Sequence, residues 1–340
     1  MAGETPVLSA EDAIARYREA ARNDTAQSSF RAFYSSVAGG IVKDPELWLL
    51  PIDDHLCHRG HAVFDTCNVR EGRVYGLKIH LDRLERSAAA ARIPLPFPRE
   101  QLEQVIVDTV AAAGVHDYGM CKYWLSAGRA DFNISPKQCK RSSFYLVVLA
   151  TEPLAEPGLR AACAEATVSV PLKPPFLATM KSNNYMLNAL VAMEAEDKGG
   201  EHGLQITPEG TIAEGSICNY AFVLNKGGGG LELCTPKFDR ILAGCTVGRA
   251  LEIVAAGARE GELAVSVRDV TLAEVRAPGA LVEMMKLGGS FVSPVTQWDG
   301  EQVGNGEVGP VTRAVARAID EDMRGLHDGD VHVQPVNWAN

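Results

Sequence analysis

The segment from residue 174 to residue 196 reads PPFLATMKSNNYMLNALVAMEAE. Two prolines open an irregular stretch, and the apolar spacing after Tyr185 predicts a helix. Lys181 lies where the irregular stretch gives way to that helix. A lysine amine that is partly withdrawn from water has a lowered pKa and can form an imine with a carbonyl compound. Most lysines are solvated surface charges, so the role of Lys181 depends on the segments around it.

A candidate carboxylate lies in TIAEGSICNYAFV, residues 211–223. Glu214 follows an apolar strand and precedes a Gly-Ser turn and a second strand. A carboxylate held there can pair with a protonated ring nitrogen and keep a cofactor ring electron-poor. The alternative is a turn carboxylate that bonds to its own backbone.

Two further segments contain groups that suit a phosphate. RILAGCTVGRALEIV, residues 240–254, places Gly244, Cys245 and Thr246 at the start of a helix, where backbone N–H groups attract anions. Arg83 in HLDRLERSA can add a bidentate guanidinium. The alternatives are an ordinary threonine cap and a surface ion pair of Arg83 with Asp82.

Alternating short strands and helices along the chain predict an α+β protein. We expect a helical extension over residues 1–32, a small α+β domain over 33–150, a linker over 151–158 and a large α+β domain over 159–340. The linker contains two prolines and a glycine between strand-like runs.

Composition excludes several classes of partner. The 33 Lys and Arg residues against 43 Asp and Glu residues give a net charge of −10, which disfavours nucleic acid and anionic membranes. The eight cysteines are far apart and show no zinc-binding spacing, so no metal site is expected. No apolar run approaches the roughly 20 residues of a membrane span. Acidic residues within the first thirty positions argue against a targeting peptide, so the sequence predicts a cytosolic protein.

Five segments, in this order and at this separation, resemble the fold-type IV pyridoxal-phosphate aminotransferases. They are HLDRLERSAAAARIPLP, MKSNNYMLNAL, IAEGSICNYAFV, RILAGCTVGRALEI and SPVTQWDGEQVGNGEVGPVTR. The resemblance covers roughly residues 33 to 325 and implies a two-domain α+β fold with pyridoxal 5'-phosphate in the cleft between the domains. PIDDHLCHRGHAVFDT and KPPFLATMKSNNY most resemble the plant and algal branch described as D-amino-acid transaminase or aminodeoxychorismate lyase.

The resemblance implies a role for each candidate residue around the cofactor. Lys181 is implied to hold pyridoxal phosphate as an imine and to move protons, and Glu214 to partner the pyridine nitrogen. The other implied cofactor contacts are Arg83, Tyr185, Gly244, Cys245, Thr246, Gly288 and Gly289. The last two lie in a loop, Leu287–Ser290, that usually carries Thr or Ser; here backbone N–H groups would replace those hydroxyls.

The substrate side departs from the family pattern. Phe64 falls where members place an aromatic residue over the substrate, and His61 lies close by in the sequence. Bacterial D-amino-acid enzymes carry an arginine for the substrate carboxylate at the end of the strand that reads WLSAG here. This chain has Ala127 at that place and Arg129 two residues later, so we expect Arg129 to substitute. His61 either lies where the substrate enters the site or is a polar residue at the end of a strand.

The resemblance implies a homodimeric aminotransferase that moves an amino group from an amino acid, D-amino acids first, to a 2-oxo acid with ping-pong kinetics. Three alternatives stay open. Aminodeoxychorismate lyase would use the same residues. A branched-chain L-amino-acid aminotransferase is disfavoured because DTCNV replaces the EGIR-type motif after Phe64. A non-catalytic binding protein that retains the fold is the third.

Overall fold

Alternating burial along the strands gives the first sheet one apolar face. The computed structural model describes residues 5–22, 28–257, 263–327 and 332–338. Cys121, Tyr123 and Leu125 are fully buried, whereas Lys122 and Trp124 between them are half-buried. The strands of this sheet are β1 (Phe30–Ser35), β2 (Gly40–Val42), β3 (Ala62–Arg70), β4 (Arg73–Tyr75), β5 (Gly119–Ser126), β6 (Ser143–Ala150) and β16 (Val333–Pro335). Their order is β16–β4–β3–β5–β6–β1–β2, and neighbouring strands are antiparallel.

Two helices cover the apolar face of this sheet. They are α3 (Leu77–Ala90) and α4 (Arg99–Ala113), and they bury Leu81, Leu84 and Ile106 completely. Helix α4 ends at Gly114, whose φ of 67° closes the helix without a Cβ clash. Two further helices precede β3, namely α1 (Ala10–Arg22) and α2 (His55–Arg59).

A hairpin turn at Glu71-Gly72 joins β3 to β4. Glu71 has a φ of 48° and Gly72 a φ of 73°, so both central residues lie in the left-handed region. A two-residue turn of this kind matches the twist of paired strands. The turn therefore fixes the register of β3, which carries residues of the site.

A second sheet forms from the later part of the chain. Its strands are β7 (Cys163–Glu165), β10 (Asn219–Asn225), β11 (Leu231–Thr235), β12 (Leu263–Val267), β13 (Leu281–Gly288), β14 (Phe291–Trp298) and β15 (Glu301–Gln302). The order is β12–β11–β10–β13–β14–β15, with β7 parallel to β14. A separate parallel pair consists of β8 (Thr167–Val168) and β9 (Leu204–Gln205).

Long helices pack on the second sheet and supply its core. α7 (Cys245–Gly257) connects β11 to the parallel strand β12 and packs beside α9 (Pro310–Met323). Val247, Val315 and Ile319 meet Met285 of β13 in this core. Shorter helices are α5 (Pro175–Ala178), α6 (Met186–Asp197) and α8 (Leu272–Val275), with single 3₁₀ turns at Pro45–Leu47 and Pro136–Gln138.

The end of the chain differs from the expected domain division. We expected residues 159–340 to form one domain, but β16 pairs with β4 in the first sheet and Val336 joins that sheet's core. Residues 151–158 contain no helix or strand. The rest of the division stays a prediction. In the described ranges, no helix combines the length and apolarity needed to span a membrane.

Candidate active site

Lys181 lies at the junction of the two sheets, held there by its backbone. Its carbonyl accepts the N–H of Phe64 on β3 at 3.0 Å, and its own N–H donates to Oγ of Ser87 on α3 at 3.2 Å. The side chain enters a cavity of about 360 Å³ that is lined from both halves of the chain. Lys181 therefore shares this cavity with residues of both sheets.

The amine of Lys181 is enclosed by aromatic rings. Its Nζ lies 4.5 Å from the centroid of the Phe64 ring and donates to the hydroxyl of Tyr185 at 3.2 Å. The rings of Phe64 and Tyr185 meet edge to face at 4.9 Å. Burial lowers the pKa of Lys181 to about 8, and the charge of Arg83 acts in the same direction. A neutral amine, the form that attacks carbonyl carbon, is therefore accessible near physiological pH.

Glu214 is a buried carboxylate on the wall of the same cavity. It is 7% exposed, its Oε2 accepts the N–H of Leu242 at 3.0 Å, and its Oε1 lies 3.8 Å from Nζ of Lys173. Burial raises the pKa of Glu214, and the charge of Lys173 opposes this rise. Because the site disfavours an unpaired carboxylate, a cationic ring N–H would be a well-matched partner for it. Lys173 was not predicted.

Arg83 is fixed by two residues that the sequence reasoning missed. Its Nε and Nη2 donate to Asp65 at 2.8 and 2.7 Å, and its Nη1 donates to the carbonyl of Ala243 at 3.3 Å. Nδ1 of His80 lies 2.8 Å from the same Asp65 carboxylate. Burial would lower the pKa of His80, but Asp65 raises it to about 9. Two cations share one carboxylate, which leaves one positive charge at this end of the cavity.

The start of α7 offers backbone donors beside that charge. Gly244, Cys245 and Thr246 all line the cavity. A Cβ at residue 244 would lie 2.0 Å from Oδ1 of Asn219, so only glycine allows the chain to pass so closely. The first N–H groups of a helix have no partner within the helix and attract a phosphate.

The second loop is tied to the first. Oγ1 of Thr246 accepts the N–H of Ser290 at 3.0 Å, and Nδ2 of Asn68 donates to the carbonyl of Gly289 at 2.6 Å. Gly288 and Gly289 line the cavity, as expected for a loop that offers its backbone. A hydrogen bond therefore joins the two loops at the rim of the cavity.

Together, these residues fit pyridoxal 5'-phosphate. They supply an amine of lowered pKa, a carboxylate for the ring nitrogen, and a guanidinium with helix N–H groups for the phosphate. The cavity lies in the range of small-molecule sites. Lys181, Glu214 and Arg83 all line this one cavity.

Two predicted substrate residues do not line the cavity. The Nε and Nη2 atoms of Arg129 bind the carboxylate of Asp53 at 2.9 and 3.0 Å, and the side chain is half-exposed. Nε2 of His61 bonds to the carbonyl of Ala91 at 2.8 Å. The expectation that Arg129 replaces the missing arginine has no support in this geometry, because its guanidinium pairs with Asp53 outside the cavity. Phe64, in contrast, is on the cavity wall.

Known proteins share this sequence and fold. Residues 62–298 match the family model described as amino-transferase class IV. The chain is 45% identical over 298 residues to the chloroplastic D-amino-acid transaminase of Arabidopsis thaliana. The aligned region covers 87% of this chain and 77% of that protein. The chain is 27% identical over 274 residues to a putative branched-chain-amino-acid aminotransferase of Methanocaldococcus jannaschii, covering 80% and 90%. The branched-chain amino acid aminotransferase of T.th., complexed with N-(5'-phosphopyridoxyl)-L-glutamate, has the same fold, with a TM-score of 0.79, 22% identity and coverage of 91% and 99%.

The chain belongs to the class IV aminotransferases. It is a pyridoxal-phosphate-dependent enzyme of fold type IV, and the predicted α+β two-domain fold and cofactor are confirmed. The alternative of a non-catalytic binding protein is thereby set aside.

The lowered pKa of Lys181 has a kinetic consequence. We expect the rate of pyridoxal phosphate uptake by cofactor-free protein to rise with pH along a titration curve whose midpoint is at pH about 8. The reason is that the protonated amine does not attack an aldehyde. Stopped-flow absorbance across this pH range measures the midpoint. A rate that still rises steeply near the ordinary lysine value of 10.5 would contradict the assignment.

Proposed function

We propose that this enzyme transfers the amino group of a D-amino acid to a 2-oxo acid by a ping-pong mechanism. The 45% identity to a protein named D-amino-acid transaminase is the observation that carries the choice of D-amino acids. The arrangement of Lys181, Glu214 and Arg83 around one cavity supports the chemistry.

Pyridoxal phosphate, when bound, supplies an aldehyde that captures the substrate amine and a ring that withdraws electrons from the substrate Cα. Lys181 would hold the cofactor through its amine. Once free, that amine would be the base that takes the proton from the substrate Cα and the acid that returns it on the cofactor side. The rings of Phe64 and Tyr185 keep water from this amine.

Two groups hold the ends of the cofactor during these proton transfers. Glu214 keeps a proton on the ring nitrogen, so that negative charge from Cα can spread into the ring. Arg83 and the first N–H groups of α7 bind the phosphate, and Asp65 and His80 orient Arg83. Fixing both ends directs the reacting carbon toward Lys181.

A branched-chain L-amino-acid aminotransferase is the second candidate, favoured by the names of the more distant relatives and of the structural neighbours. Aminodeoxychorismate lyase is the third, since elimination would use the same lysine. Neither alternative changes the roles of the cofactor-binding residues.

A donor screen distinguishes these activities. We expect kcat/KM for D-alanine to be at least about 100-fold higher than for L-leucine, with pyruvate or 2-oxoglutarate as acceptor. A pocket that fits D-amino acids leaves polar groups unpaired when an L-amino acid binds. Chiral chromatography of both donors measures the ratio. Faster use of L-leucine would favour the branched-chain activity, and aminobenzoate formed from aminodeoxychorismate would favour the lyase.

The homodimer implied by the resemblance remains a proposal. Met186, Leu190 and Met193 are exposed along one face of α6, an apolar face that a second copy would cover. The cytosolic location also stays a prediction, since the name of the Arabidopsis relative places that protein in the chloroplast.

A further inference from the structure

Lys122 lies on the cavity wall and has no role in the mechanism proposed above. It is on β5, directly opposite Thr66 of β3. The neighbouring residues Cys121 and Tyr123 point to the opposite face and are fully buried beneath the helices. Lys122 therefore faces the cavity, which it lines together with Thr66 and Phe64.

The charge of Lys122 has no acidic partner within ion-pair distance in the described part of the chain. The other cavity lysines have acceptors: Lys173 lies near Glu214, Lys286 binds Glu165 at 2.6 Å, and Lys181 donates to Tyr185. Nζ of Lys122 instead lies 5.5 Å from the ring centroids of both Phe64 and Trp124.

Aromatic faces attract a cation, but they replace only part of its hydration. Burial lowers the pKa of Lys122, and the charge of Lys181 acts in the same direction. A half-buried cation with these neighbours is matched by a bound anion.

The position of Lys122 relative to Lys181 limits what that anion can be. Nζ of Lys181 lies 4.5 Å from the Phe64 centroid and Nζ of Lys122 lies 5.5 Å from it, so the two nitrogens are at most 10.0 Å apart. During transamination the substrate nitrogen takes the place of Nζ of Lys181 on the cofactor. The α-carboxylate follows that nitrogen by two bonds in every amino acid, whereas side-chain carboxylates are found in few.

We propose that Lys122 binds the α-carboxylate of the amino-acid substrate. This inference rests on the proposed function. Lys122 would supply the cation that is missing at the end of β5, where Ala127 takes the place of an arginine. Arg129 is held by Asp53 outside the cavity. Arg160 also lines the cavity and has no carboxylate within ion-pair distance among the described residues, but it is exposed and stacks on Phe291 at 5.0 Å.

Binding of propionate to the cofactor-loaded enzyme tests this role without turnover. Propionate carries the carboxylate of an amino acid but no amine and no handedness, and succinate adds a second carboxylate. We expect Lys122→Met to weaken the binding of both acids by about 10- to 100-fold, the range for loss of a charge-assisted hydrogen bond. Lys122→Arg should keep most of the affinity because it keeps the charge.

Isothermal titration calorimetry gives the affinities, and unchanged cofactor absorbance of each variant shows that its site is intact. Lys137→Met, at an exposed lysine outside the cavity, is the matched control and should bind propionate like the wild type. Equal propionate affinity of Lys122→Met and wild type would overturn the inference. Loss confined to succinate would also overturn it, because Lys122 would then contact a side-chain carboxylate, and full loss with Arg160→Met alone would assign the role to Arg160.

Failure of this inference is separable from failure of the proposed function. The donor screen measures handedness and turnover, while the propionate titration depends on neither. If the enzyme is D-specific but its propionate affinity is unchanged in Lys122→Met, only the role of Lys122 is disproved. An L-specific enzyme whose propionate affinity depends on Lys122 disproves only the choice of D-amino acids.

Discussion

Replacement of Lys181 by alanine abolishes both transamination and covalent attachment of pyridoxal phosphate, with turnover expected to fall by about 10⁴-fold or more. The amine is the only group that both bonds to the cofactor and moves the Cα proton in the proposed mechanism. The fold should survive, because the contacts that place residue 181 are made by its backbone to Phe64 and Ser87. The loss is therefore chemical.

Two measurements follow the cofactor as well as the activity. Reduction with borohydride fixes the cofactor to its lysine, and peptide mass spectrometry should find the added mass on residue 181 of the wild type and on no lysine of Lys181→Ala. The visible absorbance of the bound imine should disappear from the variant. Lys137→Ala, at an exposed lysine, is the control for lysine loss in general. Cofactor fixed to Lys122 or Lys173 in the wild type would refute the assignment.

The sequence predicts the parts of the site that are encoded by short segments. Lys181, Glu214 and the turn from Gly244 to Thr246 each lie where one element of secondary structure gives way to another. Such a change can be recognised from the few residues on either side of it. Arg83 is found through its motif on α3. The structure brings all of these residues to one cavity.

Residues whose role depends on strand pairing were missed. Asp65 reaches Arg83 and His80 only because β3 packs against α3, and Lys122 faces the cavity only because β5 pairs with β3 in one register. A single sequence does not specify that register. Arg129 shows the opposite error, since closeness to the strand end in sequence did not place its side chain in the cavity.

The C-terminal strand was unpredictable for a related reason. Val333–Pro335 is too short for a periodic pattern, and its partner β4 lies more than half the chain away. Pairing with β4 nevertheless extends the sheet that carries Phe64 and Lys122. The edge of the site-bearing sheet is thus completed by a segment whose sequence carries no strand signal.

Replacement of Glu214 by glutamine separates proton storage on the ring from covalent capture of the cofactor. Glutamine keeps the shape and a carbonyl oxygen for the N–H of Leu242 but removes the negative charge. Without that charge the ring nitrogen loses its proton more readily, and the charge that leaves Cα is less well stabilised. We expect kcat to fall by about 10²- to 10³-fold, the usual cost of removing one preorganised electrostatic partner.

The covalent bond to Lys181 should persist in Glu214→Gln, in contrast to Lys181→Ala, because the amine and the phosphate contacts of Arg83 are untouched. Single-turnover absorbance with a saturating amino-acid donor measures the Cα proton-transfer step, and borohydride fixation measures cofactor attachment in the same sample. Glu209→Gln changes an exposed carboxylate five residues earlier that pairs with Arg240, and it should leave both readouts unchanged. Wild-type single-turnover rates in Glu214→Gln would show that the carboxylate only braces the backbone at Leu242 and that the ring reacts without a proton on its nitrogen.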